Sequence, residues 1–370
     1  MASPPAITQP GISTPAGLTN AYDCRYASGG VFRHFCGTST GTVNFGWPSV
    51  TMVSGGNIGA TLLGTVWRTE FIADALKVAL QIIPSTVPWR FLVDDQYISF
   101  AGTVVTGSGN TFVVLDFTGV GDRAYRKITI EGQGGVTMYG VNVGTTEALY
   151  QTEGGNILKA VFMGDSYTGG ASANIGGNNI NGDSFALIMA DYLGIRNMYV
   201  SGSGATGWFA NNSGQGLKLR DRMIPDLINV APDIAFVQGG MNDLITWTPD
   251  QVQGEVTAFL TQYQAALGST PLFVFGVNPG TGGPSSLSIN MEEGIQDAVE
   301  AFNFPTIQFI PVSTDPNGAW ISGTGNTGAP SGTGNADLYI TGTTHPNDAG
   351  HQFMGKRAAD VIMQAYSLLP

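Results

Sequence analysis

Hydrophobic residues follow two patterns along the chain, and the change comes near residue 150. Before it, short apolar segments rich in Val, Ile, Thr and aromatic residues are separated by glycine-rich turns. In the run RKITIE, residues 126–131, side chains alternate so that the isoleucines lie on one side of an extended strand. Repeated short strands with turns between them are typical of an antiparallel β-sandwich. We therefore predict an all-β sandwich domain over residues 1–150.

Beyond residue 150 the apolar runs alternate with segments of helical length, such as DSFALIMADYLG and PDQVQGEVTAFLTQYQAALG. Alternation of strand and helix predicts a doubly wound α/β fold with a parallel sheet, here over residues 151–370. In such folds the active site lies outside the carboxyl ends of the strands. The strand-like runs are at residues 158–163, 198–200, 234–237, 272–277 and 307–312.

The charge of the chain excludes one class of partner. Charged residues make up 11% of the chain, below the roughly 25% usual for soluble domains, and the formal net charge is −12. An acidic surface repels phosphate backbones, so we predict no nucleic-acid partner. No apolar run has the roughly 20 residues that a transmembrane helix needs, and no signal peptide is predicted at the N-terminus. The abundant glycine and sparse charge favour a protein that works outside the cytoplasm or in a phage particle.

The chain has few residues suited to redox or metal chemistry. Cys24 and Cys36 could form a disulfide in an oxidising compartment or could stay two separate buried thiols, and the sequence leaves both open. No group of Cys and His has the spacing of a zinc site. Of the three histidines, His34 lies far along the chain from the other candidates and is interpreted as structural, and His351 as packed or solvated within a helix.

The stretch KAVFMGDSYTGG, residues 159–170, places Ser166 directly after a predicted strand. A serine hydroxyl attacks a carbonyl only if a base removes its proton and donors hold the oxyanion that forms. Other strand ends offer both: the backbone N–H groups of the glycines in VSGSGATGW, the side-chain amide of Asn242 in VQGGMNDL, and the imidazole of His345 in TGTTHPNDAGH. Glycine lets an anion approach the backbone because it has no Cβ. Together these residues predict a serine-dependent acyl-transfer site at one edge of the sheet.

These four motifs, in this order across residues 158–370, resemble the blocks of the SGNH (GDSL-type) hydrolase superfamily. The resemblance implies a flavodoxin-like doubly wound sheet. It also implies that Ser166 is the nucleophile and His345 the base. The oxyanion hole would consist of the Ser166 backbone N–H, Gly204 and Asn242. The mechanism that the resemblance implies needs no metal and no organic cofactor.

The order of the two domains is similar to that of family 2 carbohydrate esterases, in which a jelly-roll-like β-sandwich precedes the hydrolase domain. This resemblance implies a carbohydrate O-deacetylase whose partner is an acylated carbohydrate or another small ester. Residues 1–150 would be a carbohydrate-binding or accessory domain. Trp208, Trp247 and Trp320 lie in predicted loops, either as sugar-stacking residues or as buried anchors. Two alternatives stay open: a degenerate esterase that only binds glycan, and a general lipase or thioesterase of the same superfamily.

The sequence departs from the superfamily in the last block. That block normally reads Asp-x-x-His, but the residue three before His345 is Gly342. We therefore predict a Ser166–His345 dyad in which a backbone carbonyl of residues 340–343 accepts the Nδ1 proton of the histidine. Some family 2 carbohydrate esterases are similar in relying on a Ser–His pair. The rival orienting group is the carboxylate of Asp337.

Two further motifs imitate other chemistry. GTSTG, residues 37–41, fits the nucleophile elbow, but that elbow needs a strand before it and a helix after it, and here the setting is a Gly/Thr-rich stretch of the β-domain. GSGATG, residues 202–207, fits a dinucleotide fingerprint, yet the loop-like WFANNSGQG follows where that fold needs a helix. Within the same motif, Gly202 is an alternative to Gly204 as the oxyanion donor.

Overall fold

A computed structural model describes residues 4–24, 30–44, 47–54, 62–63, 66–107, 109–133, 136–153, 157–171, 184–211, 217–280, 283–342 and 344–366. The chain divides into two compact units. Described residues up to 54 and from 66 to 153 form the first unit. Residues 62–63 and the described residues from 157 onwards form the second.

Strands dominate the first unit, and strands and helices alternate in the second. The strands are β1 (Ala6–Gly11), β2 (Asn20–Asp23), β3 (Arg33–Phe35), β4 (Gly37–Asn44), β5 (Trp47–Ser54), β6 (Leu62–Leu63), β7 (Val66–Asp74), β8 (Lys77–Ile82), β9 (Ser85–Val93), β10 (Gln96–Tyr97), β11 (Thr103–Val105), β12 (Thr111–Asp116), β13 (Tyr125–Gln133), β14 (Val136–Val143), β15 (Ala148–Tyr150), β16 (Lys159–Gly164), β17 (Asn197–Ser203), β18 (Ile234–Gln238), β19 (Leu272–Phe275), β20 (Ile307–Ile310), β21 (Ile340–Thr341) and β22 (His345–Pro346). The helices are α1 (Phe185–Tyr192), α2 (Leu219–Met223), α3 (Pro249–Leu267), α4 (Ser286–Phe302), α5 (Ala336–Tyr339) and α6 (Asp348–Tyr366), with a π-helical turn at Ile224–Ile228 and a 3-10 turn at Met241–Asp243.

The first unit is a β-sandwich of two antiparallel sheets. One has the strand order β1-β12-β8-β14-β5-β4 with β2 beside β14, and the other has the order β10-β9-β13-β7-β15 with β11 beside β9 and β3 beside β7. Alternate residues of both sheets contribute to one apolar core, because neighbours along a strand face opposite sides. This architecture confirms the predicted all-β sandwich. The core includes Phe71, Val78, Phe91, Val113, Ile130 and Val141.

The second unit contains a six-stranded sheet in the order β20-β19-β18-β16-β17-β6. The strands β16 to β20 are parallel, and their order corresponds to 2-1-3-4-5 of a flavodoxin-like sheet, which confirms the predicted fold class. β6 adds an antiparallel edge strand to β17, pairing Leu63 with Gly202 and Leu62 with Ser203. This strand comes from within residues 1–150, and it covers backbone groups that an open edge would leave unpaired.

Helices pack on both faces of this sheet. On one face Val161 and Met163 of β16 belong to a core that includes residues of α3 and α4. On the other face the ring of Phe162 packs against that of Phe185 in α1, with centroids 5.2 Å apart. Strand order reverses around β16, which has β17 on one side and β18 on the other. The chain that leaves β16 therefore enters the topological switch point, where ligands bind in open α/β sheets.

Several expectations about the chain as a whole can be compared with the described residues. Cys24 and Cys36 are both buried and are not joined by a disulfide, which agrees with the alternative of two separate buried thiols. His34 is structural, as predicted, because Nδ1 lies 2.8 Å from the hydroxyl of Thr69 and Nε2 lies 3.2 Å from the carbonyl of Cys24. No helix among the described residues is both long and apolar enough to cross a bilayer.

Candidate active site

Ser166 lies in a tight turn that begins where β16 ends. The carbonyl of Asp165 accepts the N–H of Gly169 at 3.0 Å, and the carbonyl of Ser166 accepts the N–H of Ala171 at 2.9 Å. The Asp165 carboxylate also accepts the N–H of Tyr167 at 2.9 Å, a local bond that fixes the first residues of the turn. Ser166 itself is only 8% exposed. The nucleophile candidate is therefore held in a turn in which the carbonyls of Asp165 and Ser166 and the N–H of Tyr167 are hydrogen-bonded locally.

Two glycines let this turn pack over the strand ends. Gly164 of β16 and Gly202 of β17 are partners in the sheet register. A Cβ on Gly202 would lie 2.3 Å from the Cα of Gly169, and a Cβ on Gly164 would lie 2.1 Å from Oγ1 of Thr168. A side chain at either position would push the Ser166 turn away from the sheet. Gly202 is thus explained by packing, and Gly204 stays the predicted oxyanion donor.

Gly204 and Asn242 lie after the strands on either side of β16. The β16–β17 register places Ser166 and Gly204 two residues beyond the paired strand ends. The amide nitrogen of Asn242, in the 3-10 turn after β18, donates to the carbonyl of Thr206 at 2.8 Å. An amide NH₂ group has two hydrogens, so one stays available for an oxyanion. The two predicted donors are therefore tied to each other through the loop after β17.

Asp243 fixes the same loop. Its buried carboxylate accepts the backbone N–H groups of Trp208, Phe209 and Ala210 at 2.9, 3.0 and 2.8 Å. Burial raises the pKa of this carboxyl, although the three donors act in the opposite direction. A Cβ on Gly207 would lie 2.2 Å from a carboxylate oxygen of Asp243. Gly207 of the GSGATG motif and Asp243 of the VQGGMNDL motif therefore pack directly against each other.

Arg222 of α2 is a buried cation that joins three parts of the site. Its guanidinium donates to the carbonyl of Gly164 at 2.8 Å, the carbonyl of Ser201 at 3.2 Å and Oγ1 of Thr206 at 3.3 Å. Asp226 lies 3.6 Å away as a counter-ion, and burial raises the pKa of that carboxyl. The rigid fork of five donors suits arginine for this position. It links the ends of β16 and β17 to Thr206, in the loop that carries the predicted oxyanion donor Gly204.

Asp165, which precedes the nucleophile, is fully buried, and burial raises its pKa to about 7. Besides the Tyr167 N–H, its carboxyl group has a long contact of 3.5 Å from the amide of Gln238. The other end of that amide accepts the hydroxyl of Thr168 at 3.1 Å. These bonds make Asp165 part of the scaffold of the turn.

His345 lies on the short hairpin of β21 and β22, where it pairs with Thr341. Its Nε2 is 2.8 Å from Oγ of Ser166. For the serine hydroxyl to donate to Nε2, the imidazole must be neutral with its proton on Nδ1. His345 is half-buried, and burial lowers its pKa, which favours this neutral base form. The structure brings together the two residues predicted as nucleophile and base.

The predicted orienting group for His345 is not found among the described residues. Gly342 stands where the superfamily has Asp, and its φ of +60° is a conformation that favours glycine. In the described part of the chain no acceptor forms a hydrogen bond with Nδ1 of His345, so the expected bond to a loop carbonyl is absent there, and Thr343 lies outside the described residues. The rival Asp337 binds two backbone N–H groups of its own loop instead.

His351 is packed, as one of the two sequence interpretations has it, and it supports the Ser166 turn. Its Nδ1 accepts the N–H of Phe185 at 3.2 Å, and its Nε2 lies 3.2 Å from the carbonyl of Ala171, to which it donates. These partners define one neutral tautomer, and burial lowers the pKa to about 4. The residue therefore joins α6 and the start of α1 to the end of the turn.

Some sequence candidates are excluded by burial or by local structure. Trp208 and Trp320 are fully buried, so they are loop anchors and cannot stack on a sugar. Trp247 is half-buried, and its ring stacks on that of Phe209 with centroids 5.8 Å apart. The GTSTG motif lies in β4, inside a strand and not in an elbow. Within the described ranges, no group of three or more His, Cys, Asp and Glu residues could hold a metal ion.

The chain is similar in sequence to one protein family. The family profile of the GDSL-like Lipase/Acylhydrolase family matches residues 162–353. This range contains all four residues predicted to form the site. No curated protein matches the chain in sequence.

The fold of the chain is similar to several solved structures. A family two carbohydrate esterase from Clostridium thermocellum, in complex with cellohexaose, has a TM-score of 0.63 and 16% identity over 90% of this chain and 99% of that one. A family two carbohydrate esterase from Cellvibrio japonicus has a TM-score of 0.61 and 13% identity, covering 99% and 100%. A salicylyl-acyltransferase from a tetracycline biosynthetic pathway has a TM-score of 0.61 and 11% identity, covering 99% and 98%. At these identities the similarity is one of fold.

Proposed function

Because the chain belongs to the GDSL-like lipase/acylhydrolase family, we propose that it is a serine esterase that removes acyl groups, acetyl above all, from carbohydrate. The observation that carries the proposal is the 2.8 Å separation between Oγ of Ser166 and Nε2 of His345. A serine next to a neutral imidazole, at the switch point of a doubly wound sheet, is the arrangement that nucleophilic acyl transfer requires.

The proposed reaction has two steps. Oγ of Ser166 attacks the ester carbonyl carbon while Nε2 of His345 takes the hydroxyl proton. The oxyanion that forms accepts hydrogen bonds from the Ser166 N–H, the Gly204 N–H and the amide of Asn242. The carbon–oxygen bond to the leaving alcohol breaks, and the imidazolium gives its proton to that alcohol. Water then attacks the acyl-serine with the same base, which releases the acid and restores the hydroxyl.

Carbohydrate is the proposed alcohol component for two reasons. The structural neighbours include family two carbohydrate esterases, one of them in complex with cellohexaose. In this chain the half-buried pair Phe209 and Trp247 lies next to the proposed oxyanion residues, because Asp243 binds the N–H of Phe209 and directly follows Asn242. Aromatic faces of this kind can stack on sugar rings. Ile245, 95% exposed in the same loop, adds an apolar contact surface.

Acetate release is the experiment that tests this proposal. The wild-type chain is expected to hydrolyse 4-nitrophenyl acetate and to release acetate from acetylated polysaccharides, and Ser166→Ala is expected to do neither. The variant Trp247→Ala should raise KM for acetylated polysaccharide and leave 4-nitrophenyl acetate hydrolysis nearly unchanged. Preference for long-chain esters would favour the lipase alternative. Glycan binding without hydrolysis would favour a degenerate protein that only binds glycan. We propose residues 1–150 as the accessory domain both for an active esterase and for a binding-only protein.

The acceptor of the acyl group needs its own measurement, because one structural neighbour is an acyltransferase. We propose water as the acceptor. Acetate and acetylated alcohol are quantified together, with and without an added excess of free sugar. Free acetate as the main product in both conditions supports an esterase, and transfer to the sugar at the expense of acetate would contradict hydrolysis as the main reaction.

A further inference from the structure

We infer that Tyr167 is the positioning residue for His345 and takes over the geometric role of the motif carboxylate in whose place this chain has Gly342. The inference rests on the proposed function, because it concerns the base of the proposed dyad. Tyr167 directly follows Ser166, and its side chain is fully buried. Its hydroxyl donates to the carbonyl of Thr344, the residue before His345.

The proposed base needs such a partner because the described residues make few other contacts with it. In a Ser-His-Asp triad the carboxylate holds the imidazole in the productive tautomer and orientation. Here Nδ1 of His345 has no hydrogen-bond partner among the residues that the structure describes. The hairpin consists of two strands of two residues each, and an isolated hairpin is at best marginally stable. Its turn contains Gly342 in the left-handed region, which adds no side-chain contact.

Tyr167 contacts both the backbone and the ring of this hairpin. Its aromatic centroid lies 5.5 Å from the centroid of the His345 ring, with the planes at 50°. A phenol has only one hydrogen to donate. The carbonyl of Thr344 is its near acceptor, and that of Pro279, at 3.5 Å, is at most a weak second one. The hydroxyl therefore anchors the chain at the residue before the base, and the ring limits the orientations that the imidazole can adopt.

The same residue is rigidly joined to the nucleophile. The backbone N–H of Tyr167 donates to the carboxyl of Asp165 at 2.9 Å, inside the turn that carries Ser166. One side chain thus spans from the turn of the nucleophile to the backbone of the base, and it sets their separation. Burial raises the pKa of Tyr167 well above its usual value, so the hydroxyl stays protonated and remains a donor over the working pH range.

The aromatic ring also has an electrostatic consequence. When His345 takes the serine proton it becomes a cation, and a cation within about 6 Å of an aromatic ring is attracted by its π-electrons. Tyr167 can therefore lower the cost of forming the imidazolium, although less than a carboxylate would. Hydroxyl and ring have separable roles, which two substitutions can distinguish.

The first test compares Tyr167→Phe with a matched control, Tyr263→Phe. Tyr263 is also fully buried in the second unit, and its hydroxyl donates to the carbonyl of Thr270 at 3.1 Å. Both variants lose one buried hydrogen bond to a backbone carbonyl, so both should show a similar fall in urea midpoint. We expect Tyr167→Phe to lower kcat for 4-nitrophenyl acetate about ten- to a hundred-fold with KM nearly unchanged, because a displaced base affects the chemical step. Tyr263→Phe should keep the wild-type kcat.

The second test distinguishes the role of the ring from that of the hydroxyl. It uses the pH profile of kcat/KM, whose acid limb reports the pKa of the base in the free enzyme. Tyr167→Phe keeps the ring, so the acid limb should stay where it is in the wild type. Tyr167→Leu removes the ring as well, and its acid limb should move to lower pH because the imidazolium loses the aromatic face. In the proton NMR spectrum, the Hε1 signal of His345 is assigned by its absence from His345→Ala. This signal should be one sharp line in the wild type and should broaden in Tyr167→Phe, where the histidine is less firmly held. This signal does not depend on turnover.

A wild-type kcat in Tyr167→Phe would overturn the inference, and so would an equal loss in Tyr263→Phe. If Tyr167→Phe does not fold, the kcat and acid limb of Tyr167→Leu decide, and a wild-type value of both would overturn it. Ser166→Ala is measured in parallel. If that variant keeps its turnover, the proposed function itself fails. If it is inactive while the Tyr167 variants behave like the wild type, only the role of Tyr167 fails.

Discussion

The two sides of the proposed dyad are held in different ways. Ser166 lies in a turn that buried polar groups hold in place. Among them are the carboxyl group of Asp165 and the guanidinium of Arg222, which donates to the carbonyl of Gly164. His345 is half-buried on a hairpin of two short strands, and its ring is approached by one buried aromatic side chain. The comparison indicates that the predicted nucleophile and oxyanion donors are preorganised by a polar network, whereas the described residues make few contacts with the predicted base.

The largest expected effect comes from removing either member of the dyad. Ser166→Ala and His345→Ala should each lower kcat on 4-nitrophenyl acetate by roughly four to six orders of magnitude, and the double variant should be no worse than either one, because the two groups act as a unit. Steady-state kinetics on purified protein checks this, with far-UV circular dichroism as the control for folding. More than a few per cent of residual activity in Ser166→Ala would mean that the nucleophile is assigned to the wrong residue.

The oxyanion side should respond less strongly. Asn242→Ala should lower kcat about two to three orders of magnitude, the usual effect of one oxyanion donor, with little change in KM. Asn142→Ala is the matched control, because its amide also donates to a backbone carbonyl, that of Leu18 at 3.1 Å, in the β-sandwich. If KM alone changes in Asn242→Ala, the amide binds ground state and transition state equally and is not an oxyanion donor.

The buried network predicts a dependence of stability on pH. The pKa of His351 is about 4 in the folded chain against a usual 6.5, so the unfolded state binds more protons between these values and stability is lost as pH falls from about 6.5 to about 4. Complete loss of this contribution of His351 lowers the free energy of unfolding by about 3 kcal/mol. Asp165 acts in the opposite direction, because its raised pKa of about 7 makes the folded state bind the extra proton as pH falls.

His351→Gln isolates the histidine contribution, since glutamine can accept from the Phe185 N–H and donate to the Ala171 carbonyl without titrating. Urea unfolding of wild type and variant is measured at pH 7 and pH 4.5. Lowering the pH from 7 to 4.5 should reduce the free energy of unfolding of the wild type more than that of His351→Gln. A difference that does not change with pH would show that His351 is not held neutral.

The smallest effect is expected at Asp337. Its carboxylate accepts backbone N–H groups of Ser331 and Gly332 in its own loop. Asp337→Asn should therefore leave kcat on 4-nitrophenyl acetate within about three-fold of the wild type, whereas loss of a true triad carboxylate costs about four orders of magnitude. A loss near that size would restore the rival triad and contradict a dyad.

The fold and the positions of the proposed catalytic groups could be predicted because they follow from local order along the chain. A strand that ends in GDS, and loops that begin with glycine or Asn after neighbouring strands, all meet at one sheet edge once the sheet is parallel. No knowledge of side-chain packing was needed to predict the positions of Ser166, Gly204, Asn242 and His345. Their roles stay predictions until the variants are measured.

The supporting residues could not be predicted, because their partners are distant along the chain and several are backbone atoms. The sequence analysis assigns no role to Arg222, yet it binds carbonyls at the ends of β16 and β17. Tyr167 bonds to the carbonyl of Thr344, far along the chain. The two residues of β6 read as part of the sandwich but pair with β17. The predicted carbonyl partner of His345, within residues 340–343, stays a prediction, because Thr343 lies outside the described residues and no bond of Nδ1 is found among the others.

Covalent trapping of the nucleophile is the most direct measurement of the central claim, that Ser166 attacks with His345 as its base. The wild-type chain is incubated with a fluorophosphonate, and the modified residue is mapped by peptide mass spectrometry. We predict one adduct, on Ser166, that is absent from Ser166→Ala and forms far more slowly in His345→Ala. An adduct on another residue, or labelling of His345→Ala at the wild-type rate, would contradict the account.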